Sequence, residues 1–307
     1  MHIIQIDRVT KVFGSGKKRV RAVDGLELAV EPGQVFGFLG PNGAGKSTTI
    51  RMMIDLIRPT DGSVRLFGVD VRRNPAGLRK TGALVEGAMF YPFLTGRDNL
   101  RVLGRTRGQN ADNKIDDLAR QVDLAGRIDR KVSEYSTGMK QRLGIAAALL
   151  SDPELVILDE PTNGLDPGGI LEMRGFIRSL AETHGKTVFL SSHLLNEVEQ
   201  VCDRVAIINR GRLVQEGQVA ALLSGTVTEL QLEVDPLDRT VGLLQERWHV
   251  EPLEKPGWAG VRIEPGESPE IVKRLVEAGV AVRQAIVARQ TLEDFFLSVT
   301  DQKGGRD

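Results

Sequence analysis

The sequence reads Gly40-Pro41-Asn42-Gly43-Ala44-Gly45-Lys46-Ser47-Thr48 at the point that decides its fold. An apolar run at residues 35–39 precedes this stretch, and residues 49–54 follow it with helical periodicity. A strand, a glycine-rich loop and a helix in this order are typical of a phosphate-binding loop of the form Gly-x-x-x-x-Gly-Lys-Ser. The stretch therefore predicts that the chain binds a nucleoside triphosphate.

Each residue type in this loop serves a physical purpose. The glycines let the backbone bend so that successive N–H groups point inward and surround an anion. The positive end of the following helix adds its field to those groups. Lys46 is predicted to reach the β- and γ-phosphates, and Ser47 to offer its hydroxyl to Mg²⁺. A chance lysine in a glycine-rich turn is the alternative, and the flanking strand and helix argue against it.

Length and composition limit the class of protein. A chain of 307 residues has room for one large domain and a smaller one. Lys plus Arg and Asp plus Glu both number 41, and this neutral balance argues against an extended nucleic-acid surface. The single cysteine, Cys202, fits a reducing compartment. No stretch reaches the roughly 18 consecutive apolar residues of a membrane helix, and residues 1–7 lack a signal-peptide core, so we expect a soluble, cytoplasmic protein.

Two polar groups follow apolar runs that predict buried strands. Residues 155–158 lead into Asp159 and Glu160, and residues 187–190 lead towards His193. Open α/β sheets place ligands at the carboxyl ends of their strands. Asp159 is therefore predicted to hold Mg²⁺, Glu160 to accept a proton from the attacking water, and His193 to contact the γ-phosphate. A helix-cap pair and a structural histidine are the alternatives.

Weaker signals lie outside these motifs. Phe13, just upstream of the loop, is interpreted equally well as a ring that stacks on adenine or as a core aromatic. Ser136 and Gly138 open a helix predicted at residues 140–150, which is anion-binding geometry, although serine is also a common helix cap. Glu86 ends a strand predicted at residues 82–86.

The order of the predicted elements divides the chain in two. Residues 1–224 read as an α/β core with a helical insertion from about residue 90 to 150. Residues 225–307 read as strand, helix, strand, strand, helix and strand, with a terminal helix at residues 292–299. This order predicts a small ferredoxin-like α+β module, in which we identify no chemistry.

Five motifs in order resemble the ATP-binding subunit of an ATP-binding cassette (ABC) transporter over roughly residues 3–220. They are the phosphate-binding loop, a signature-like turn at residues 135–139, the pair Asp159 and Glu160, residues 163–166, and His193. The resemblance implies the fold of a P-loop ATPase with a helical subdomain. It also implies a head-to-tail homodimer or heterodimer that holds two ATPs. In that dimer Ser136 and Gly138 hold the partner's γ-phosphate, Asp166 crosses the interface, and Glu160 is the catalytic base.

Three longer sequence segments are similar to those of bacterial drug and antibiotic exporters, including bacitracin- and lantibiotic-resistance systems. These segments are Tyr-Ser-Thr-Gly-Met-Lys-Gln-Arg at residues 135–142, Glu-Pro-Thr-Asn-Gly-Leu-Asp-Pro at 160–167 and Thr-Leu-Glu-Asp-Phe-Phe at 291–296. Thr137 and Met139 depart from the Gly and Gln of the general family. Glu86 stands where the family carries a glutamine that contacts the metal, so the resemblance implies a metal ligand there. Contact with a membrane subunit is the alternative for Glu86.

The leading functional hypothesis is an energy-coupling ATPase that drives a separate transmembrane permease subunit from the inner face of the cell membrane. Export of a drug, antibiotic or peptide is favoured over import, and the cargo is left open. The alternative is a soluble cassette ATPase that acts on ribosomes or nucleic acid. Translation-factor members of the family usually carry two cassettes in one chain, and this chain has one phosphate-binding loop. Chromosome-type members insert long coiled coils between this loop and the signature turn, and the sequence between Ser47 and Ser136 is too short for them. A nucleotide sensor without turnover is disfavoured by Glu160 and His193.

Overall fold

The computed structural model describes residues 2–85, 89–106, 108, 112–224, 228–264, 266–288, 291–292 and 296. These residues belong to two compact units, Met1–Val219 and Ala220–Asp307. Glu86 and most of the helix predicted at residues 292–299 lie outside the described residues. Within the described ranges, no helix combines the length and the apolar character that crossing a bilayer requires.

The first unit is a mixture of strands and helices. Its strands are β1 (Ile4–Phe13), β2 (Val20–Val30), β3 (Val35–Leu39), β4 (Asp61–Leu66), β5 (Val69–Asp70), β6 (Thr81–Leu84), β7 (Leu155–Asp159), β8 (Thr187–Ser192), β9 (Arg204–Asn209) and β10 (Arg212–Gln218). Its helices are α1 (Lys46–Met53), α2 (Ala76–Arg79), α3 (Gly96–Thr106), α4 (Asp112–Gln121), α5 (Thr137–Leu149), α6 (Pro167–Glu182) and α7 (Leu195–Val201).

The main sheet has the strand order β10-β9-β3-β8-β7-β6, in which only β10 runs antiparallel to its neighbour. Strands β3, β7 and β8 are buried along their whole length, as expected for parallel strands that are covered on both faces. Parallel strands end at the same edge of a sheet. The residues that follow β3, β7 and β8 therefore leave the sheet side by side.

A second sheet, in the order β2-β1-β4-β5, is antiparallel. One hydrophobic cluster joins residues of both sheets to the buried face of α1, which contributes Ile50, Met52 and Met53. The cluster also contains Phe36 and Phe38 of β3. Helix α1 is thus held by the core immediately after the phosphate-binding loop.

Two helices begin directly after a capping residue, and α5 therefore begins one turn before the predicted residue 140. Helix α5 begins at Thr137, since the Ser136 Oγ accepts a hydrogen bond from the Met139 backbone N–H. Helix α6 begins at Pro167, since Asp166 caps it and proline is well suited to the first helical position. Helices α3, α4 and α5 occupy the stretch predicted to be helical.

In its described residues, the second unit contains a four-stranded antiparallel sheet with helices packed against it. Helix α8 (Val219–Ser224) runs across the division between the units. The following elements are β11 (Thr228–Asp235), α9 (Leu237–Leu244), β12 (Val250–Pro252), β13 (Trp258–Ile263), α10 (Ser268–Glu277) and β14 (Ala281–Ala288). The sheet order is β12-β13-β11-β14, and one cluster of buried residues includes β11, β13, α9 and α10. This succession is that of the ferredoxin-like module expected from the sequence.

We predict that a chain ending at Ser224 still binds ATP, because the phosphate-binding loop and the strands around it lie within the first unit. The loss of residues 225–307 is expected to change dimer stability or coupling to a membrane subunit instead. Titration calorimetry of the truncated and full-length chains measures the first effect. A truncated chain that is folded by circular dichroism but does not bind ATP would contradict the prediction.

Candidate active site

The phosphate-binding loop joins β3 to α1, and its shape depends on glycine. Gly45 has φ of 106°, and an added Cβ would lie 2.5 Å from the Ala22 carbonyl oxygen. At Gly40 an added Cβ would lie 2.4 Å from the Ile208 carbonyl oxygen. A side chain at either position would therefore push the loop away from the strands that support it.

Lys46 is buried, with 6% of its side chain exposed. Its Nζ donates to the Gly40 carbonyl at 2.7 Å and to the Pro41 carbonyl at 3.4 Å. The same Nζ lies 3.2 Å from Glu160 Oε1. The loop thus holds one positive charge at its centre, in partly desolvated surroundings that strengthen its attraction for an anion.

Asp159 and Glu160 lie at the end of β7, beside the end of β8. The buried Ser191 joins the two strands, because its Oγ donates to Asp159 Oδ1 at 2.5 Å and accepts from the Glu160 backbone N–H at 3.0 Å. Glu160 has φ of 50°, a left-handed conformation that is costly for a residue with a side chain. Ser191 therefore fixes a strained backbone at this edge.

The Glu160 carboxylate is held between two partners. Its Oε1 faces Lys46, and its Oε2 lies 2.8 Å from His193 Nδ1. An ionised carboxylate only accepts hydrogen bonds, so the Nδ1 of His193 carries the proton of this bond. The structure brings Lys46, Glu160 and His193 together, as expected for side chains at the carboxyl ends of neighbouring parallel strands.

A cleft of about 370 Å³ opens over the loop. Most of its lining consists of residues that the sequence predicts to act on the nucleotide. Ala22 was missed, and Asn163 belongs to the motif at residues 163–166, in which only Asp166 was given a role. The complete lining is Ala22, Asn42, Gly43, Gly45, Lys46, Ser47, Thr48, Glu160, Asn163 and His193. Asn163 could have been recognised from its place in the turn after Glu160. Ala22 contributes its backbone beside Gly45 and leaves no recognisable sequence signal.

The hydrogen-bond donors and oxygen ligands at this cleft fit a nucleoside triphosphate with Mg²⁺. Lys46 and the backbone N–H groups of the loop suit phosphate oxygens, and the Ser47 hydroxyl suits a hard cation. Mg²⁺ needs few protein ligands when phosphates supply the others, and Asp159 stands at the neighbouring strand end. Among the described residues, no group of three or more His, Cys, Asp or Glu side chains forms a metal site that is independent of such a ligand.

Three residues of the loop that were predicted to contact the nucleotide, Gly40, Pro41 and Ala44, stabilise the shape of the loop. The Gly40 and Pro41 carbonyls accept from Lys46, and the Ala44 backbone N–H donates to the Pro41 carbonyl at 3.1 Å. Ala44 is buried in the core. These residues shape the loop around the lysine, whereas the cleft itself is lined by their neighbours.

Phe13 lies at the end of β1 with 41% of its surface exposed, so its interpretation as a core aromatic is wrong. The Lys11 ammonium lies 5.0 Å from the centre of its ring, within reach of a cation–π contact. The structure provides no test of stacking on adenine, and this role stays a prediction. Glu86 lies outside the described residues, so its role as a metal ligand also stays a prediction.

Ser136, Gly138 and Asp166 form a second cluster that is not part of the described cleft lining. An added Cβ at Gly138 would lie 3.4 Å from Leu165, which places the start of α5 beside the turn at residues 163–166. Asp166 Oδ1 accepts from the Gly169 backbone N–H at 3.3 Å, just as Ser136 caps α5. The cluster therefore presents two capped helix starts next to each other.

Comparison with known proteins agrees with this geometry. A family model described as ABC transporter matches residues 23–163. The chain is 41% identical to the bacitracin transport ATP-binding protein BcrA of Bacillus licheniformis, with 97% of each chain covered. It is 36% identical to the daunorubicin/doxorubicin resistance ATP-binding protein DrrA of Streptomyces peucetius, with 97% of this chain and 92% of that protein covered.

The fold is also similar to a solved structure, the dimeric post-hydrolysis state of the ATP-binding cassette MJ0796 bound to ADP and Pi. The TM-score is 0.62 at 24% identity, and the match covers 70% of this chain and 98% of that one. The two relatives BcrA and DrrA align along almost the whole chain. The chain belongs to the ABC transporter family as one of its ATP-binding subunits, an ATPase that uses ATP with Mg²⁺.

Proposed function

We propose that this chain powers the export of a drug, antibiotic or peptide through a separate transmembrane permease subunit. The observation that carries the proposal is the extent of the alignment with the bacitracin transport protein, which covers 97% of both chains. The alignment is therefore not confined to the ATP-binding core and includes the second unit. A drug-resistance protein aligns over a similar extent.

We assign the phosphate-binding loop, residues 40–48, to the phosphates, with Lys46 on the β- and γ-phosphates. Ser47 and Asp159 hold Mg²⁺, Glu160 is the general base, and His193 contacts the γ-phosphate. The ion pair between Lys46 and Glu160 supports a sequence of events. Phosphate oxygens attract the lysine more strongly than one carboxylate does, so ATP binding draws Lys46 away from Glu160. The carboxylate is then free to accept the proton of the attacking water.

The second cluster supports a head-to-tail dimer. The starts of α5 and α6 both carry the positive end of a helix dipole, and their backbone N–H groups suit an anion. Ser136 and Gly138 then hold the γ-phosphate bound to the opposite subunit, and Asp166 lies at the interface. Homodimers and heterodimers with a related subunit both satisfy this arrangement.

An exposed apolar patch supports docking to the permease at the inner face of the membrane. Met89 is 100% exposed, Phe93 67% and Tyr91 53%, and the rings of Tyr91 and Phe93 lie 5.8 Å apart. The buried Asn99 holds this segment in place, because its side chain donates to the Tyr91 carbonyl and accepts from the Tyr91 backbone N–H. Large apolar side chains presented on a fixed loop are typical of a protein interface.

We predict that Glu160→Gln lowers ATP hydrolysis by about 10²–10⁴-fold, because the amide keeps the shape of the side chain but does not accept a proton. ATP binding is retained, and dimers accumulate because hydrolysis no longer separates them. Steady-state ATPase assays and light scattering with ATP measure the two effects. Near-normal turnover in the variant would move the role of base to another residue, of which His193 is the first to test.

We predict that the full-length chain co-purifies with a polytopic membrane protein, and that Phe93→Ser lowers the recovered amount severalfold. Leu56→Ser is the matched control, since Leu56 is 65% exposed but lies outside the patch. Both variants are compared after detergent extraction, with equal recovery of this chain. Co-purification with ribosomes, or with no partner, would contradict the transport proposal. Equal losses in the two variants would contradict the role of the patch.

A further inference from the structure

We propose that Thr162 and Glu197 are positioning residues for ATP hydrolysis. Their buried hydrogen bond, which we call the strap, fixes the segment that carries Glu160 against the segment that carries His193. The inference rests on the role of base that is proposed for Glu160. It assigns a function to two residues that do not line the cleft.

Within the described residues, the strap and the bond between Glu160 and His193 join the same two segments. Strands β7 and β8 are parallel neighbours, with Asp159 opposite Ser191 in register. The segment after β7 contains Glu160 and Thr162, and the segment after β8 contains His193 and Glu197. Glu160 and His193 are joined at 2.8 Å, and Thr162 Oγ1 donates to Glu197 Oε2 at 2.5 Å.

The two links differ in their exposure to water. Glu160 and His193 have 20% and 33% of their side chains exposed. Thr162 and Glu197 are 6% and 7% exposed. Water competes with the first link but hardly with the second, because hydrogen bonds are stronger where the local dielectric constant is low. The strap is therefore the rigid link, and the pair that faces the cleft depends on it.

Burial of Glu197 needs a reason. An ionised carboxylate is costly to bury, and an apolar side chain of similar size serves stability as well or better. The small cavity beside the strap is also lined by Arg174, so a positive charge faces the same space. Arg174 Nη1 donates to Gln200, and its buried Nε has no hydrogen-bond partner within the described part of the chain. We infer that the contribution of Glu197 is geometric.

The backbone of Glu160 explains why the strap acts on catalysis. Its left-handed conformation persists only if the residues around it hold it in place. Ser191 holds the Glu160 backbone N–H on one side, and the strap holds Thr162 on the other. Without the strap the strained residue relaxes, and the carboxylate moves relative to His193 and the phosphates.

The test is Thr162→Val, which keeps the volume and removes the hydroxyl. We expect kcat to fall by about 10–100-fold with the KM for ATP unchanged, since a shift of about 1 Å can cost on the order of 10²-fold. Thr162→Ser restores the hydroxyl and most of the rate. Thr187→Val is the matched control: Thr187 is 1% exposed, and its Oγ1 accepts from the Gly33 backbone N–H at 2.9 Å near the opposite end of β8. We expect Thr187→Val to lower Tm and to leave kcat unchanged.

A double variant separates positioning from a general structural role. In the Glu160→Gln background, Thr162→Val is expected to leave the residual hydrolysis unchanged, because the strap acts through the carboxylate that is no longer present. A further loss in that background, a normal kcat in the single variant, or an equal loss of kcat in Thr187→Val would overturn the proposal. If Thr162→Val does not fold, Glu197→Leu replaces it and Glu197→Gln is its conservative partner. Near-normal turnover in Glu160→Gln alone would instead overturn the assignment of the base.

Discussion

The parallel pairing of β3, β8 and β7 is the constraint on which the site depends. Phe36 of β3 stacks on Phe189 of β8 with ring centres 5.8 Å apart, and these buried rings hold the two strands in register. A slip of one residue would move a strand end by about 3.3 Å. Lys46, Glu160 and His193 would then lose contact, because their mutual bonds are only about 3 Å long. The chemistry is therefore set by packing in the interior of the sheet.

The same edge concentrates features that are unfavourable for stability. It contains a buried lysine, a buried Asp159 and a glutamate with left-handed backbone. Each is tolerated because a neighbour compensates for it: loop carbonyls for Lys46, and the Ser191 hydroxyl for both Asp159 and the Glu160 backbone. Strain and buried charge held in this way are typical of preorganised sites. In the proposed mechanism, phosphate binding exchanges these existing partners and needs little rearrangement of the sheet.

Sequence alone predicts those parts of the site that are contiguous in the chain. The phosphate-binding loop lies within nine residues, and Glu160 directly follows its strand, so local patterns were sufficient. The ferredoxin-like order was also readable, because each strand and helix has its own periodicity. Ser191, Thr162 and Glu197 were missed as partners, since their bonds depend on β8 lying beside β7 and local patterns contain no strand order. The role of Phe13 could not be decided from the sequence, because an apolar side chain at the end of a strand can face either the core or the solvent.

The central claim is that each of the two subunits of a dimer supplies half of each ATP site. A crystal structure of the Glu160→Gln variant with ATP and Mg²⁺ tests this claim most directly. The account predicts a dimer in which the γ-phosphate lies within hydrogen-bond distance of Lys46 Nζ of one copy and Ser136 of the other. The His193 ring of the first copy lies beside the same phosphate. A nucleotide held by a single copy, with Ser136 of neither copy in contact with phosphate, would contradict the account.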